Sequence, residues 1–436
     1  MNAFFSRAWS TLMLVGLAGY LVGKGLVPAL SQIDADFPGY FTAARIVVDG
    51  QDTRRLYDDD WFREQIRRYG LESPQNPGKF APFPPPTALL LVPLARYPPL
   101  TALRILTAVS LLGLICSIFL LARILAWHPV DSALFVFSSG TAIISGLRFG
   151  QPYILISTLC VLGYYLYLER RPWLAGLCFG LFVPVKYFPL VILACFALQK
   201  EWKVLAGSAV AVAGVALLSI AVLGWQVHQV FLLSVLGNHL LGHLSLQALS
   251  PPFTAVYQSF DTLFNHLFVF DPGMNPHPLW AVPALATVGT IAVKCLILLA
   301  AAAALMRLAR TEGSGALAPS IGIVSIFLLL IAPATATYMC ALLWLPVALL
   351  IRYFVAKGAR ALAYFILAAY TLIGFTPWQY TYPFEGRGGL TVLAYPRLLL
   401  LLAMFAGCVW SIVRPRRLGY ATTAVAGQTS PMTPPG

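Results

Sequence analysis

The chain alternates long apolar runs with short polar breaks, and those runs set the architecture. A helix crossing a bilayer takes roughly 20 mostly apolar residues, within a range of about 17–25. Runs of that kind occupy 8–30, 102–122, 131–147, 151–168, 172–185, 187–199, 204–224, 281–306, 317–332, 335–351, 361–376 and 395–413. The pieces 172–185 and 187–199 are short and read as a bent hairpin. The apolar stretch 86–97 lies between Pro84-Pro85-Pro86 and Pro98-Pro99, and reads as a half-helix or re-entrant element. The pattern predicts an all-α, polytopic integral membrane protein with about 12–13 membrane helices. Residues 1–419 would form one transmembrane domain, and the small, polar, Pro-rich residues 420–436 a disordered tail.

Three long polar segments separate the runs: 31–85, 225–280 and 377–394. In the first, Tyr40, Ala43, Ala44 and Val47 share one helical face after Asp36, which reads as an N-cap with Pro38 in the first turn. That helix is expected along the membrane interface, apolar side down. Residues 59–69 predict a second amphipathic helix, with Trp61, Phe62, Ile66 and Tyr69 opposite polar partners. Val27-Pro28-Ala29 loosely resembles a signal-peptide cleavage site, but the apolar run before it exceeds a signal core, so an uncleaved first helix is expected.

Composition supports the membrane assignment. Hydrophobic residues make up 59% of the chain and charged residues 10%, against about 25% charged in soluble domains. This excludes a soluble enzyme, a disordered chain and a coiled coil. Basic residues outnumber acidic ones 29 to 16, a net charge of +13. Lys and Arg collect at the cytoplasmic ends of spans, which removes the need for a nucleic-acid partner. With Arg7 inside, Arg123, Arg170, Arg171, Lys200, Lys203, Arg307, Arg310, Arg352, Lys357, Arg360, Arg414, Arg416 and Arg417 all fall inside. Both termini are then cytoplasmic and the three long segments external. The seven cysteines sit in apolar runs without a CxxC pair, as buried inert thiols do.

The carboxylates are distributed unevenly. Nine of sixteen lie in the first external segment: Asp34, Asp36, Asp49, Asp52, Asp58, Asp59, Asp60, Glu64 and Glu72. Asp58-Asp59-Asp60 reads as a solvated helix start. Asp36 is either a cap or a general base at the membrane surface, and Asp34-x-Asp36 has the spacing to hold a divalent metal. Cations within apolar stretches are costly and mark function. Lys24, Arg148 and Lys186 all approach the external leaflet on this topology, a grouping that suits a phosphate. For Lys24 and Arg397 snorkelling to the headgroups is an equal alternative; Lys294 interrupts another late span. The second external segment carries His228, His239, His243, His266 and His277. His239 and His243 have metal-ligand spacing but no third partner, so lining of a groove is expected. In the third, Trp378, Glu385 and Arg387 suit sugar stacking or an interfacial aromatic belt.

Asp36-Phe-x-x-Tyr40-x-x-Ala43-Ala44, then Gly50 and Leu56-Tyr57, resembles the first-loop pattern of glycosyltransferase family 87. Phe83-Pro-Pro-Pro86, Pro93-Leu94, Gly150-Gln151, and Arg171-Pro172-x-x-Ala175-Gly176 leading to Lys186 and Pro189 extend the resemblance over about residues 30–200. This GT-C-fold family includes polyprenol-phosphate-mannose-dependent mannosyltransferases. The resemblance implies an inverting hexosyltransferase in a bacterial inner membrane, acting on its external face. It would move a hexose such as mannose from a polyprenyl-phosphate sugar to a lipid or glycan acceptor. It further implies that Asp36 is the catalytic base, with Asp34 two residues away as the competitor. Lys186, Arg148 and Lys24 would meet the donor phosphate, and Tyr40, Gln151, Trp378 and His239 the sugar or acceptor. No cofactor is expected, a metal at Asp34/Asp36 being the alternative. Tyr153 departs from the family pattern, which has Asn after the Gly-Gln pair. The competing readings are a transporter or lipid flippase, and a GT-C-type glycan ligase with its key residues in 225–280.

Overall fold

The computed structural model describes residues 2–72, 78–236 and 253–414. Among these, helices carry the fold and no β-ladder forms beyond one isolated bridge between Asp271 and Asn275. Pro99, Pro129, Pro172, Pro189, Pro283 and Pro396 each open an apolar helix, where the missing N–H costs nothing. Among the described residues, six helices are long and apolar enough to cross a membrane: Arg7–Ser31, Pro99–Leu125, Trp202–Leu223, Pro283–Glu312, Thr337–Ala356 and Pro396–Val413. The pair Pro129–Phe137 and Thr141–Arg148, bent by 72°, adds a seventh if counted as one span. The other expected spans are shorter apolar helices, among them Tyr153–Leu168, Pro172–Leu181, Pro189–Leu198, Leu317–Ile331 and Arg360–Phe375. The protein is an all-α polytopic membrane protein.

The expected hairpin forms from Pro172–Leu181 and Pro189–Leu198, with Lys186 in the break between them. Small residues set its place. A Cβ on Gly176 would lie 2.1 Å from the Val204 carbonyl oxygen, so helix Pro172–Leu181 meets helix Trp202–Leu223 backbone to backbone. Ser208 Oγ donates to the Gly176 carbonyl at 2.9 Å across that contact. The 86–97 stretch does not span; it folds as two 3-10 turns, Pro85–Leu89 and Val92–Leu94.

Two apolar cores result. One fills the bundle, from Leu114 through Trp344 to Cys408. The second belongs to the first external segment and joins Phe37, Tyr40, Phe41, Leu56, Phe62, Ile66 and Phe80. Helix Phe37–Val48 corrects the interfacial expectation: Phe37 through Ala44 are all buried, so it is a core helix with both faces covered. Its all-round apolarity is the reason. Helix Asp59–Arg68 is amphipathic as expected, with Phe62 and Ile66 inward. Asp58 caps it by accepting from the Trp61 N–H at 3.1 Å.

Candidate functional site

The polar residues gather where the second core meets the bundle. Asp34-Ala35-Asp36 links the first span to helix Phe37–Val48, and Ala35 holds a left-handed φ of 40°. Such a backbone is costly for alanine and persists where the surroundings fix it. Here it separates the two carboxylates. Asp34, 8% exposed, pairs with Arg148 Nη2 at 2.6 Å and accepts from Gln32 Nε2 at 3.4 Å. Asp36 occupies the cap position of its helix, yet its carboxylate caps nothing. It accepts instead from Gln151 Nε2 at 2.6 Å and from Tyr338. The capping alternative is thereby removed, because both partners come from elements more than 100 residues away.

Gly150 makes that approach feasible. It has φ +61°, and a Cβ there would lie 2.7 Å from Phe37 Cδ2. Gly150-Gln151 can therefore close onto the start of helix Phe37–Val48. Gln151 is in turn oriented by Tyr40, whose hydroxyl donates to Gln151 Oε1 at 2.9 Å. Tyr40 and Gln151 are each 1% exposed, whereas Asp36, Lys186 and Tyr338 keep some access to solvent.

Lys186 enters from the hairpin break. Its Nζ lies 4.4 Å from the centroid of Phe83, 5.5 Å from Tyr153 and 5.8 Å from Tyr40. Three ring faces stabilise an ammonium group that has lost water. Burial pushes its pKa down to about 8, opposed by the attraction of Asp36. Burial likewise raises the Asp36 carboxyl, which the Gln151 hydrogen bond, the Lys186 charge and the Tyr338 hydrogen bond partly offset. A base and a cation thus share one desolvated seam. Tyr153, the residue departing from the family pattern, stacks on Tyr338 with centroids 5.2 Å apart and helps wall it.

The remaining expected residues divide. Arg148 is in the seam but bound to Asp34, with its Nε buried and unpartnered among the described residues. Lys24 is exposed on the first span, and no hydrogen bond or ion pair among the described residues links it to the seam. His239 lies outside the described residues, as does the Trp378 side chain. Arg397 corrects the snorkelling alternative: it is 2% exposed, and its Nη1 donates to Thr337 Oγ1, beside Tyr338. Lys294 pairs with Asp261 at 2.6 Å. His266 is buried against the Tyr395 hydroxyl at 2.6 Å, and burial drops its pKa to about 4, so it is neutral at pH 7.

Sequence reasoning did not find Tyr338. It opens an apolar span some 300 residues after Asp36, and nothing in its local sequence marks the pairing. Phe83 was visible only as part of a proline motif, not as a wall for Lys186.

A bundle of apolar spans with a carboxylate, a caged lysine and ordered amide and phenol donors at one face describes a polytopic membrane enzyme. The family model described as Glycosyltransferase family 87 matches residues 80–333, more than half of the chain. The chain belongs to that family and is a membrane glycosyltransferase. The matched region contains Arg148, Gln151, Tyr153 and Lys186, and Asp36 precedes it. No curated protein matches the chain, and no solved structure does.

Proposed function

We propose that the enzyme transfers a hexose from a polyprenyl-phosphate donor to a lipid or glycan acceptor, with inversion and with Asp36 as general base. The acceptor hydroxyl loses its proton to Asp36 as its oxygen attacks the anomeric carbon. The bond from that carbon to the phosphate oxygen breaks, and the lipid phosphate leaves with the electron pair. Lys186 faces the charge that develops on the phosphate, in a largely desolvated site that screens it weakly. Gln151, ordered by Tyr40, and Tyr338 hold the carboxylate in line. Holding both lipid-borne reactants at one seam supplies much of the acceleration.

The observation that carries the reading is the division of labour in Asp34-Ala35-Asp36. Asp34 is consumed by Arg148, while Asp36 keeps partial access to solvent beside a cation with no carboxylate bonded to it among the described residues. Asp36 is therefore the base and Asp34 the strut for Arg148. Arg148 on Asp34 and Gln151 on Asp36 compete with a divalent ion for the pair, which supports transfer without one. The basic loop ends support a seam on the exterior face with both termini cytoplasmic, and the resemblance to the family supports a bacterial inner membrane.

The test is incubation of purified protein with a panel of polyprenyl-phosphate hexoses and lipid or glycan acceptors. Mass spectrometry detects the product and NMR gives its anomeric configuration. Transfer with inverted configuration is expected. Transfer from nucleotide sugars alone, or solute flux into liposomes without transfer, would overturn the proposal.

A further inference from the structure

The opposite end of the bundle holds a polar cavity of about 120 Å³, lined by Arg307, Glu312, Tyr353, Lys357, Ser411 and Arg414 among others. It lies where helices Pro283–Glu312, Trp344–Ala356 and Pro396–Val413 end together. The span Thr337–Ala356 joins it to the seam. Tyr338 at one end bonds Asp36 and Lys357 follows the other end, which places the two sites roughly 30 Å apart at opposite ends of that span.

Its charges do not cancel. Glu312 is the only carboxylate in the lining among the described residues, and it is engaged by Lys357 at 2.7 Å and by the Tyr353 hydroxyl at 3.1 Å. That leaves the two guanidinium groups. Neither Arg307 nor Arg414 gives a side-chain hydrogen bond to a carboxylate or carbonyl among the described residues; Arg414 only covers the Trp410 ring, 5.6 Å from its centroid. Helix C-termini attract cations, but these two donate to no carbonyl there. Phe354 and Ile412 give the cavity an apolar floor continuous with the spans. Two guanidinium forks, a serine hydroxyl and an apolar floor at a membrane face match a phosphate esterified to acyl chains.

We propose that this cavity binds the headgroup phosphate of an anionic phospholipid in the leaflet opposite the sugar-transfer seam. The lipid clamps the ends of three spans, one of which carries Tyr338 to Asp36. The proposal does not depend on the donor or the base assigned above.

The full-length protein is reconstituted into phosphatidylcholine vesicles with and without phosphatidylglycerol, and retained lipid is counted by native mass spectrometry. Selective retention of phosphatidylglycerol is expected. The double substitution Arg307→Gln/Arg414→Gln should weaken it about thirty-fold, as removal of two basic groups near an anionic surface does. Arg307→Lys/Arg414→Lys should retain it, which separates lost charge from lost folding, and Arg310→Gln, outside the lining, should change nothing. Unaltered retention by the double Gln variant would overturn the proposal, as would an equal loss in Arg310→Gln. Displacement of the lipid by inorganic phosphate alone would assign the cavity to a soluble anion instead, and likewise overturn it.

Discussion

Gly150→Ala perturbs the seam without touching a reactive group. At φ +61° an alanine is strained by about 1–2 kcal/mol. Its Cβ would also stand 2.7 Å from Phe37 Cδ2 and 3.1 Å from Phe37 Cβ, and would meet Leu103 Cδ1 at 3.3 Å. Phe37 must retreat by about 0.7 Å to regain ordinary contact. It is fully buried against Phe41, whose ring centroid lies 5.6 Å away, so the shift has nowhere empty to go. Overpacking of this kind costs about 1–3 kcal/mol, which with the backbone strain makes a destabilisation on the order of 3 kcal/mol. The chemical consequence should exceed the structural one. Phe37 adjoins Asp36 in sequence and Gly150 adjoins Gln151, so the Gln151–Asp36 hydrogen bond of 2.6 Å takes up the displacement. Misplacement of a catalytic group by about 1 Å lowers turnover about a hundred-fold. Thermal unfolding in detergent and single-turnover sugar transfer measure the two effects. Gly16→Ala, in a helix with no atom near the added Cβ, is the control. A Gly150→Ala enzyme with wild-type unfolding and wild-type turnover would show that the close approach of Gly150-Gln151 to Phe37 does not build the site.

Three further outcomes follow from the same geometry. Lys186→Met removes the cation from its aromatic cage and should raise the donor KM about 10–100-fold, the worth of a charge-assisted hydrogen bond; an unchanged KM and turnover would remove Lys186 from the site. The pH profile of kcat/KM should be a bell. Asp36 acts ionised and its pKa is raised, so the rate climbs as pH passes through a value above the usual carboxylate range; Lys186 acts protonated, so the rate falls above about pH 8. Tyr338→Phe deletes a hydrogen bond that favours the ionised carboxylate, so the ascending limb should move to higher pH and turnover should drop about ten-fold; a profile superimposable on wild type would contradict the contact.

What the sequence disclosed and what it hid have different physical origins. Apolar runs and helix-opening prolines are local signals, and they located Pro99–Leu125, Pro172–Leu181 and Pro396–Val413 to within a few residues. Whether a helix lies on a surface or inside a core is not local. The face of Tyr40, Ala43, Ala44 and Val47 suggests an interfacial helix at Phe37–Val48, yet its other residues are apolar enough to be covered as well, by the Phe80 and Phe83 region and Gly150. Charge was similarly informative only up to pairing. The sequence singled out Asp34, Asp36, Arg148 and Lys186, but it could not tell that Arg148 would settle on Asp34 rather than stay free for a phosphate. That choice depends on the left-handed turn at Ala35, a conformation alanine gives no hint of adopting. Arg397, legible as a charge in an apolar run, stays open between snorkelling and a buried role in the sequence for the same reason: only the fold brings Thr337 to it.

The central claim is that Asp36 takes the acceptor proton while Lys186 faces the departing phosphate. Transfer of hexose from a polyprenyl-phosphate donor by purified Asp36→Asn protein, beside Asp34→Asn, measures it most directly. The substitution keeps the shape and removes only the base, so Asp36→Asn should fold with wild-type unfolding temperature and bind donor, yet lose transfer by about 100-fold or more. Asp34→Asn should retain more activity, because it loosens Arg148 without removing the base. Near-wild-type transfer by Asp36→Asn would contradict the account.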